Sequence, residues 1–160
     1  MVPNYGGPAF TRDGFAGAYR RARMRRLLLG MRAWLGRCCS RAERAGVGLA
    51  ACLEEERGAG SGRRRLGLRE VEVREISGSV GRCRDFDRRF MPLRRELEPR
   101  WRRVCRALCA GKTLPPVSLY KLGGAYFVRD GNHRVSVSRY RGVQTMEAEV
   151  TELLPESTDE

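Results

Sequence analysis

One pentapeptide concentrates the chemistry this chain could do: Asp130-Gly131-Asn132-His133-Arg134, lying between a strand-like and a helix-like run. A helix start leaves backbone N–H groups unpaired, and its dipole favours an anion at that end. Gly131 lets backbone approach a ligand closely. His133 and Arg134 add donors beside those N–H groups, and the Arg134 fork matches two oxygens of one phosphate. Asp130 is placed either to cap the helix or to help hold a hydrated magnesium ion. The same residues would also make an ordinary Asp/Asn-rich turn that merely starts a helix, and local chemistry leaves both readings open. Ser79 and Arg82, in a loop with two permissive glycines at 78–87, are candidate further contacts to the same ligand.

Other chemistries fare less well. The six cysteines are Cys38, Cys39, Cys52, Cys83, Cys105 and Cys109, with no CxxC pair, and His133 is the sole histidine. Paired zinc-ligand spacing is therefore missing, and no metal site is expected. Cys105 and Cys109 stand one helical turn apart and read as small hydrophobes on the buried face of their helix.

The elements that must position the pentapeptide follow from periodicity and punctuation. Residues 1–12, with Pro3, Gly6, Gly7 and Pro8, read as a loose tail. Asp13 can cap a helix from about Gly14 to Arg44, with Met24, Leu27, Leu28, Met31, Trp34, Leu35 and Cys38 at helical spacing on one side and arginines over most of the rest. That stripe needs a partner: the chain's own domain, a second copy or other protein, or a membrane or nucleic acid, with docking or dimerisation preferred. Residues 45–57 read as a weaker helix. Gly58-Ala59-Gly60-Ser61-Gly62 reads as a linker ending in the basic run Arg63-Arg64-Arg65.

Beyond it, Val71–Ile76 alternates like a first strand, residues 78–87 form the loop, and Pro99 opens a helix that Gly111 stops. Leu97, Trp101, Val104, Cys105 and Leu108 form that helix's buried stripe. Val117–Lys121 and Ala125–Arg129 pair as a hairpin around Gly123-Gly124. A helix from about His133 to Tyr140 ends at Gly142, and Met146–Leu153 is a last strand. The expected fold class is α+β, a small mixed sheet with packed helices, divided into 1–68 (tail, basic amphipathic helix, linker), 69–154 (the α+β domain) and 155–160 (acidic tail).

Net charge is +13, with 30 arginines and only Lys112 and Lys121 as lysines, while residues 147–160 hold six acids and no base. A basic body suits polyanions such as nucleic acid, nucleotides or acidic membrane, although such Arg dominance also arises from codon bias. No apolar run reaches signal-peptide or membrane-spanning length, so a cytoplasmic, reduced protein is the expectation.

The stretch Leu114–Lys121 followed by Tyr126–Val137, with its Gly131-Asn132-His133-Arg134, resembles the ParB/sulfiredoxin superfamily. So does the order strand, loop, helix, strand, strand, Gly-x-His-Arg, helix, strand. The Gly78-Ser79-Val80-Gly81-Arg82 … Asp85-Phe86-Asp87 loop and the N-terminal helical segment resemble stand-alone bacterial ParB-domain proteins. The resemblance covers about residues 70–153. It implies phosphate holding by Gly131, His133 and Arg134. Sulfiredoxins carry a catalytic Cys where Asn132 stands, and an amide cannot be that nucleophile, so Cys-dependent sulfinic-acid reduction is not expected.

The expected function is a regulatory module that holds a nucleoside triphosphate (CTP or ATP, with or without Mg2+) at the Asp130–Arg134 turn. DNA contact would be phosphate-based, and a homodimer or a partner protein would use the N-terminal helix. One alternative is a small-molecule kinase or triphosphatase of the same fold, with Glu75, Asp85 and Asp87 as candidate acids by position. Asp85 and Asp87 are read first as loop-capping partners of nearby arginines. A second alternative is a protein-interaction module without ligand.

Overall fold

The computed structural model describes residues 14–35, 51–53, 62–82, 84–122 and 124–154. Helix α1 (Gly14–Leu35) is followed by strands β1 (Ala51–Leu53), β2 (Arg63–Glu72) and β3 (Ile76–Val80). Then come helix α2 (Glu98–Cys109), the hairpin β4 (Val117–Leu122) and β5 (Ala125–Asp130), helix α3 (Asn132–Arg141) and strand β6 (Thr145–Leu153). The sheet order is β1-β3-β5-β4-β6-β2, with β4/β5 and β2/β6 antiparallel and the other pairs parallel. This is a mixed α+β fold, and from β3 to β6 its elements follow the expected order.

The helices cover one face of the sheet. Strand alternation sends Val117 and Leu119 of β4, Val128 of β5, and Ala148 and Val150 of β6 into one core with Trp101 and Cys105 of α2 and Val135 and Val137 of α3. Tyr120 points to the other face, with Val80 and Leu153, and the guanidiniums of Arg63 and Arg129 lie over its ring. Trp101 is 1% exposed and donates its Nε1–H to Ser136 Oγ at 2.9 Å, so this large buried side chain leaves no polar atom unmet.

Local punctuation worked as expected in several places. Pro99 lies in the first turn of α2; Gly111 (φ 65°) follows its end and Gly142 (φ 74°) terminates α3. Four expectations change. First, the Val71–Ile76 strand is two strands and a turn. β2 ends at Glu72, Val73–Glu75 is a 3-10 turn, and β3 runs through Gly78-Ser79-Val80, residues read as loop. Val71, Val73 and Ile76 are all buried, but the turn makes the last step three residues instead of two, and the chain there leaves its pairing with β6 and crosses to β5. Arg139 ties this crossing down by donating to the carbonyls of Val73, Arg74, Ile76 and Arg88.

Second, the basic run is not a linker end. Arg63, Arg64 and Arg65 pair in β2 with Leu153, Glu152 and Thr151 of β6, and the boundary drawn at 68/69 falls inside this strand. Arg64 binds Glu152 at 2.5 Å and Arg65 binds Glu149 at 3.3 Å, so acids of β6 partner two of the three arginines. Charged side chains on such an edge strand also oppose edge-to-edge pairing.

Third, β1 lies where a weak helix was expected; the rest of residues 45–57, apart from this strand, lies outside the described residues, as do Asp13, the tails, Gly58–Ser61, Gly123 and residues 36–44. Fourth, α1 docks by a different face. Phe15, Ala18 and Ala22 are buried in the core, whereas Met24 and Leu27 are 62% and 60% exposed. Small residues permit this approach: a Cβ on Gly17 would stand 2.9 Å from the Tyr140 hydroxyl. Phe15 meets Trp101 edge-on at 5.7 Å, and its burial contributes roughly 2 kcal/mol. Arg25 of α1 reaches Asp87 at 3.2 Å. Cys105 is buried as expected, but Cys109 is exposed. Burial, followed by its neighbour Cys109, pushes the Cys105 thiol up to about 11, so it is held protonated.

Candidate functional site

The pentapeptide sits where β5 ends and α3 begins. Gly131 occupies the N-cap position at φ 104°, ψ 20°, and no side chain caps the helix. Its conformation suits glycine, and so does its packing: an added Cβ would stand 2.5 Å from Val117 Cγ1. The first intrahelical bond is Val135 N–H to Gly131 C=O, at 3.0 Å. The N-terminal turn of α3 therefore presents its N–H groups without a protein side chain to meet them.

A cavity of about 90 Å³ opens at this point, with Asp130 to Arg134 along one wall. Arg82 from the loop after β3, Arg100 and Val104 from α2, and Arg129 from β5 complete it. Its volume suits one phosphoryl group rather than a whole nucleoside, given roughly 30 Å³ per water molecule. Asn132 and His133 are each 6% exposed, and Asn132 Oδ1 and His133 Nδ1 are buried with no hydrogen-bond partner. Native interiors rarely leave such atoms unmet, and here both belong to residues lining the cavity.

The electrostatics are one-sided. The walls carry four arginines and one carboxylate, Asp130. Burial first, then Arg100 and Arg82, against a smaller opposing effect of Asp85, lower His133 to about 4. At neutral pH the ring is uncharged and donates through one nitrogen only. Phe86 packs edge-on against it at 5.5 Å and fixes its plane.

Two expectations about the turn are revised. Asp130 does not cap α3; its Oδ2 accepts from Arg134 at 2.7 Å. Arg134 is not an open fork: it also donates to the Pro115 carbonyl and, at 2.8 Å, to that of Pro116. Its guanidinium clamps the turn to the approach of β4, because those carbonyls precede a strand and have no ladder partner. Arg100 and Arg129 are tied to no other described residue by a hydrogen bond or ion pair, though Arg129 lies over the Tyr120 ring; the sequence reading missed both. The i, i+4 relation of Arg100 to Val104 marks one flank of α2, but only the packing of α2 against α3 shows that this flank faces His133.

Among the other candidates, Arg82 reaches the cavity while bonded to Asp85 at 3.6 Å. Ser79 does not; it is fully buried in β3, its hydroxyl donating to Val80 and Val128 carbonyls. Asp85 holds Arg82 and Arg94. Asp87 Oδ1 accepts from the backbone of Arg89 at 2.9 Å and Met91 at 2.8 Å, so it builds the 87–91 turn, and its ionic partner is Arg25 rather than a loop arginine. Glu75 is exposed on the 3-10 turn, away from the cavity wall. Among the described residues no group of three or more His, Cys, Asp or Glu could hold a metal. A lone carboxylate among guanidiniums fits an anion, and a magnesium ion there would have to arrive on the phosphates themselves.

No protein-family profile and no curated protein matches the chain. Among solved structures, the crystal structure of sulfiredoxin from Arabidopsis thaliana aligns over 52% of this chain and 82% of that one, with a TM-score of 0.40 and 14% identity. So distant a likeness carries no chemistry from one chain to the other. Among the described residues no helix is long and apolar enough to cross a membrane.

Proposed function

We propose that this chain is a ParB/sulfiredoxin-type binding module that holds a phosphate of a nucleoside triphosphate at the Gly131–His133 turn. The observation that carries the reading is the uncapped start of α3 beside a buried, unpartnered nitrogen, His133 Nδ1, in a cavity walled by arginines. A phosphate there would receive the helix N–H groups, an Nδ1–H from neutral His133 and the Arg100 guanidinium, with Arg82 at the rim. Gly131 and Arg134 support the turn, and Asp130 holds Arg134. Sugar and base would lie outside the cavity, which makes the module's choice of CTP or ATP a matter of the surrounding surface.

Binding is favoured over turnover. A kinase needs an acid near the attacking hydroxyl, and Glu75, Asp85 and Asp87 are all off the wall, while Asp130 is engaged by Arg134. The exposed Arg20, Arg21 and Arg23 of α1 support a further, phosphate-based contact to DNA.

Calorimetric titration of the reduced chain with CTP, ATP, GTP and UTP, each with and without magnesium, tests this. Saturable binding weakened at least tenfold by Arg100→Ala and by His133→Ala is the expected result. Binding that ignores both substitutions, or no binding to any of the four, overturns it. Product analysis of the same samples separates a binding module from a triphosphatase.

A further inference from the structure

A larger concavity than the one at the turn lies elsewhere on the protein. A cleft of about 430 Å³ opens at the other end of α3, roughly 15 Å away by the rise of that helix. Arg21 and Arg25 of α1, Arg74 of the 3-10 turn, Arg89 of the 87–91 turn and Arg139 of α3 all line it, and no carboxylate does. Val73, Met91 and Val143 are the aliphatic residues of its lining, beside Tyr140 and the Gln144 amide.

The five guanidiniums are not equally committed. Arg139 is consumed by carbonyls of the chain crossing. Arg25 is held by Asp87 and Arg74 by Glu72, both acids off the cleft wall. Arg21 lies over the Tyr140 ring at 5.0 Å, and no hydrogen bond or ion pair ties the Arg89 side chain to another described residue. Arg21 and Arg89 thus face the cleft as full cations without an acid. The C-terminal end of α3 opposes them with about half a negative charge at most, and that end is closed by the N–H groups of Gly142 and Val143. Like charges gathered round a concavity focus their field into it, and the volume lies within the roughly 300–1,000 Å³ range of small-molecule sites.

We infer that this cleft is a second, independent site for a phosphorylated ligand of about mononucleotide size. Arg21 and Arg89 bind the phosphate, Arg25 and Arg74 flank it, and the organic portion lies along Tyr140, Val143 and the Gln144 amide. The phosphate belongs either to a free mononucleotide or to a unit of a nucleic-acid strand. Both sources offer the same chemistry, and the test separates them.

The full chain is titrated with adenosine 5′-monophosphate and, separately, with a 12-nucleotide single strand. The variants are Arg21→Ala/Arg89→Ala, Arg82→Ala/Arg100→Ala, and Arg103→Ala/Arg106→Ala, which removes equal charge from the exposed side of α2. Arg21 and Arg89 are exposed, and of their contacts only that of Arg21 with the Tyr140 ring is lost, so thermal unfolding midpoints should stay close to the parent's. A binding event weakened at least tenfold by Arg21→Ala/Arg89→Ala alone is expected. With the monophosphate it identifies a free ligand, and with the strand only, a nucleic acid. Equal weakening by Arg103→Ala/Arg106→Ala means diffuse surface charge and overturns the inference, as does binding that Arg21→Ala/Arg89→Ala leaves unchanged or no binding to either probe. An event lost in Arg82→Ala/Arg100→Ala belongs to the turn, so the two sites succeed or fail separately.

Discussion

Because His133 is the chain's sole histidine, its ring protons in a nuclear magnetic resonance spectrum report one site without ambiguity. The ring should titrate near 4 in the folded chain, against an ordinary value of 6.5. The folded value lies below the unfolded one, so the native state binds fewer protons between them. The stability due to the neutral ring is therefore fully present above pH 6.5, is lost as pH falls from there towards 4, and changes no further below. At about 1.36 kcal/mol for each pH unit between the two values, the full loss is about 3 kcal/mol, of which about 2 kcal/mol is gone by pH 5.

Carboxylates also titrate in acid, so the loss is read as a difference. Urea unfolding of the parent and of His133→Gln from pH 7.5 to 5 should show the variant losing about 2 kcal/mol less. Arg100→Ala, which removes the largest charged contribution, should move the ring's titration upward, and a phosphate bound at the turn should do the same. Ring protons that titrate at the ordinary value, or stability curves that stay parallel, would refute the burial and charge assigned to this ring.

Three further outcomes follow from the packing. Gly131→Ala brings a Cβ within 2.5 Å of Val117 at φ 104°, and denaturant melts should show a loss of about 3 kcal/mol from strain and overpacking together; an unchanged midpoint would remove the close approach. Arg139→Lys cannot span the carbonyls of Val73, Arg74, Ile76 and Arg88, so it should cost about 2–4 kcal/mol, measured the same way. Arg25→Ala should cost under about 1 kcal/mol, since Asp87 keeps its backbone donors, whereas Asp87→Ala strands the buried N–H of Met91 and should cost about 2 kcal/mol; equal costs would mean that the ion pair, not the turn, is what matters.

What the sequence determined by itself was local. Pro99, Gly111 and Gly142 bound their helices through backbone preferences that act within a few residues, and the alternation of β4, β5 and β6 marked one buried face. The strand, glycine turn and helix around His133 were legible for the same reason. The tertiary structure decided which groups meet. Arg63–Arg65 became strand because Thr151, Glu152 and Leu153, far along the chain in β6, lie opposite them. The docked face of α1 is Phe15, Ala18 and Ala22, not Met24 and Leu27, and the Tyr140 hydroxyl leaves a Cβ at Gly17 only 2.9 Å. Arg134 was claimed by the carbonyls of Pro115 and Pro116, and Arg100 was brought to His133 in its place. A charged side chain's role depends on which unmet polar group packing sets beside it, and spacing along the chain does not encode that.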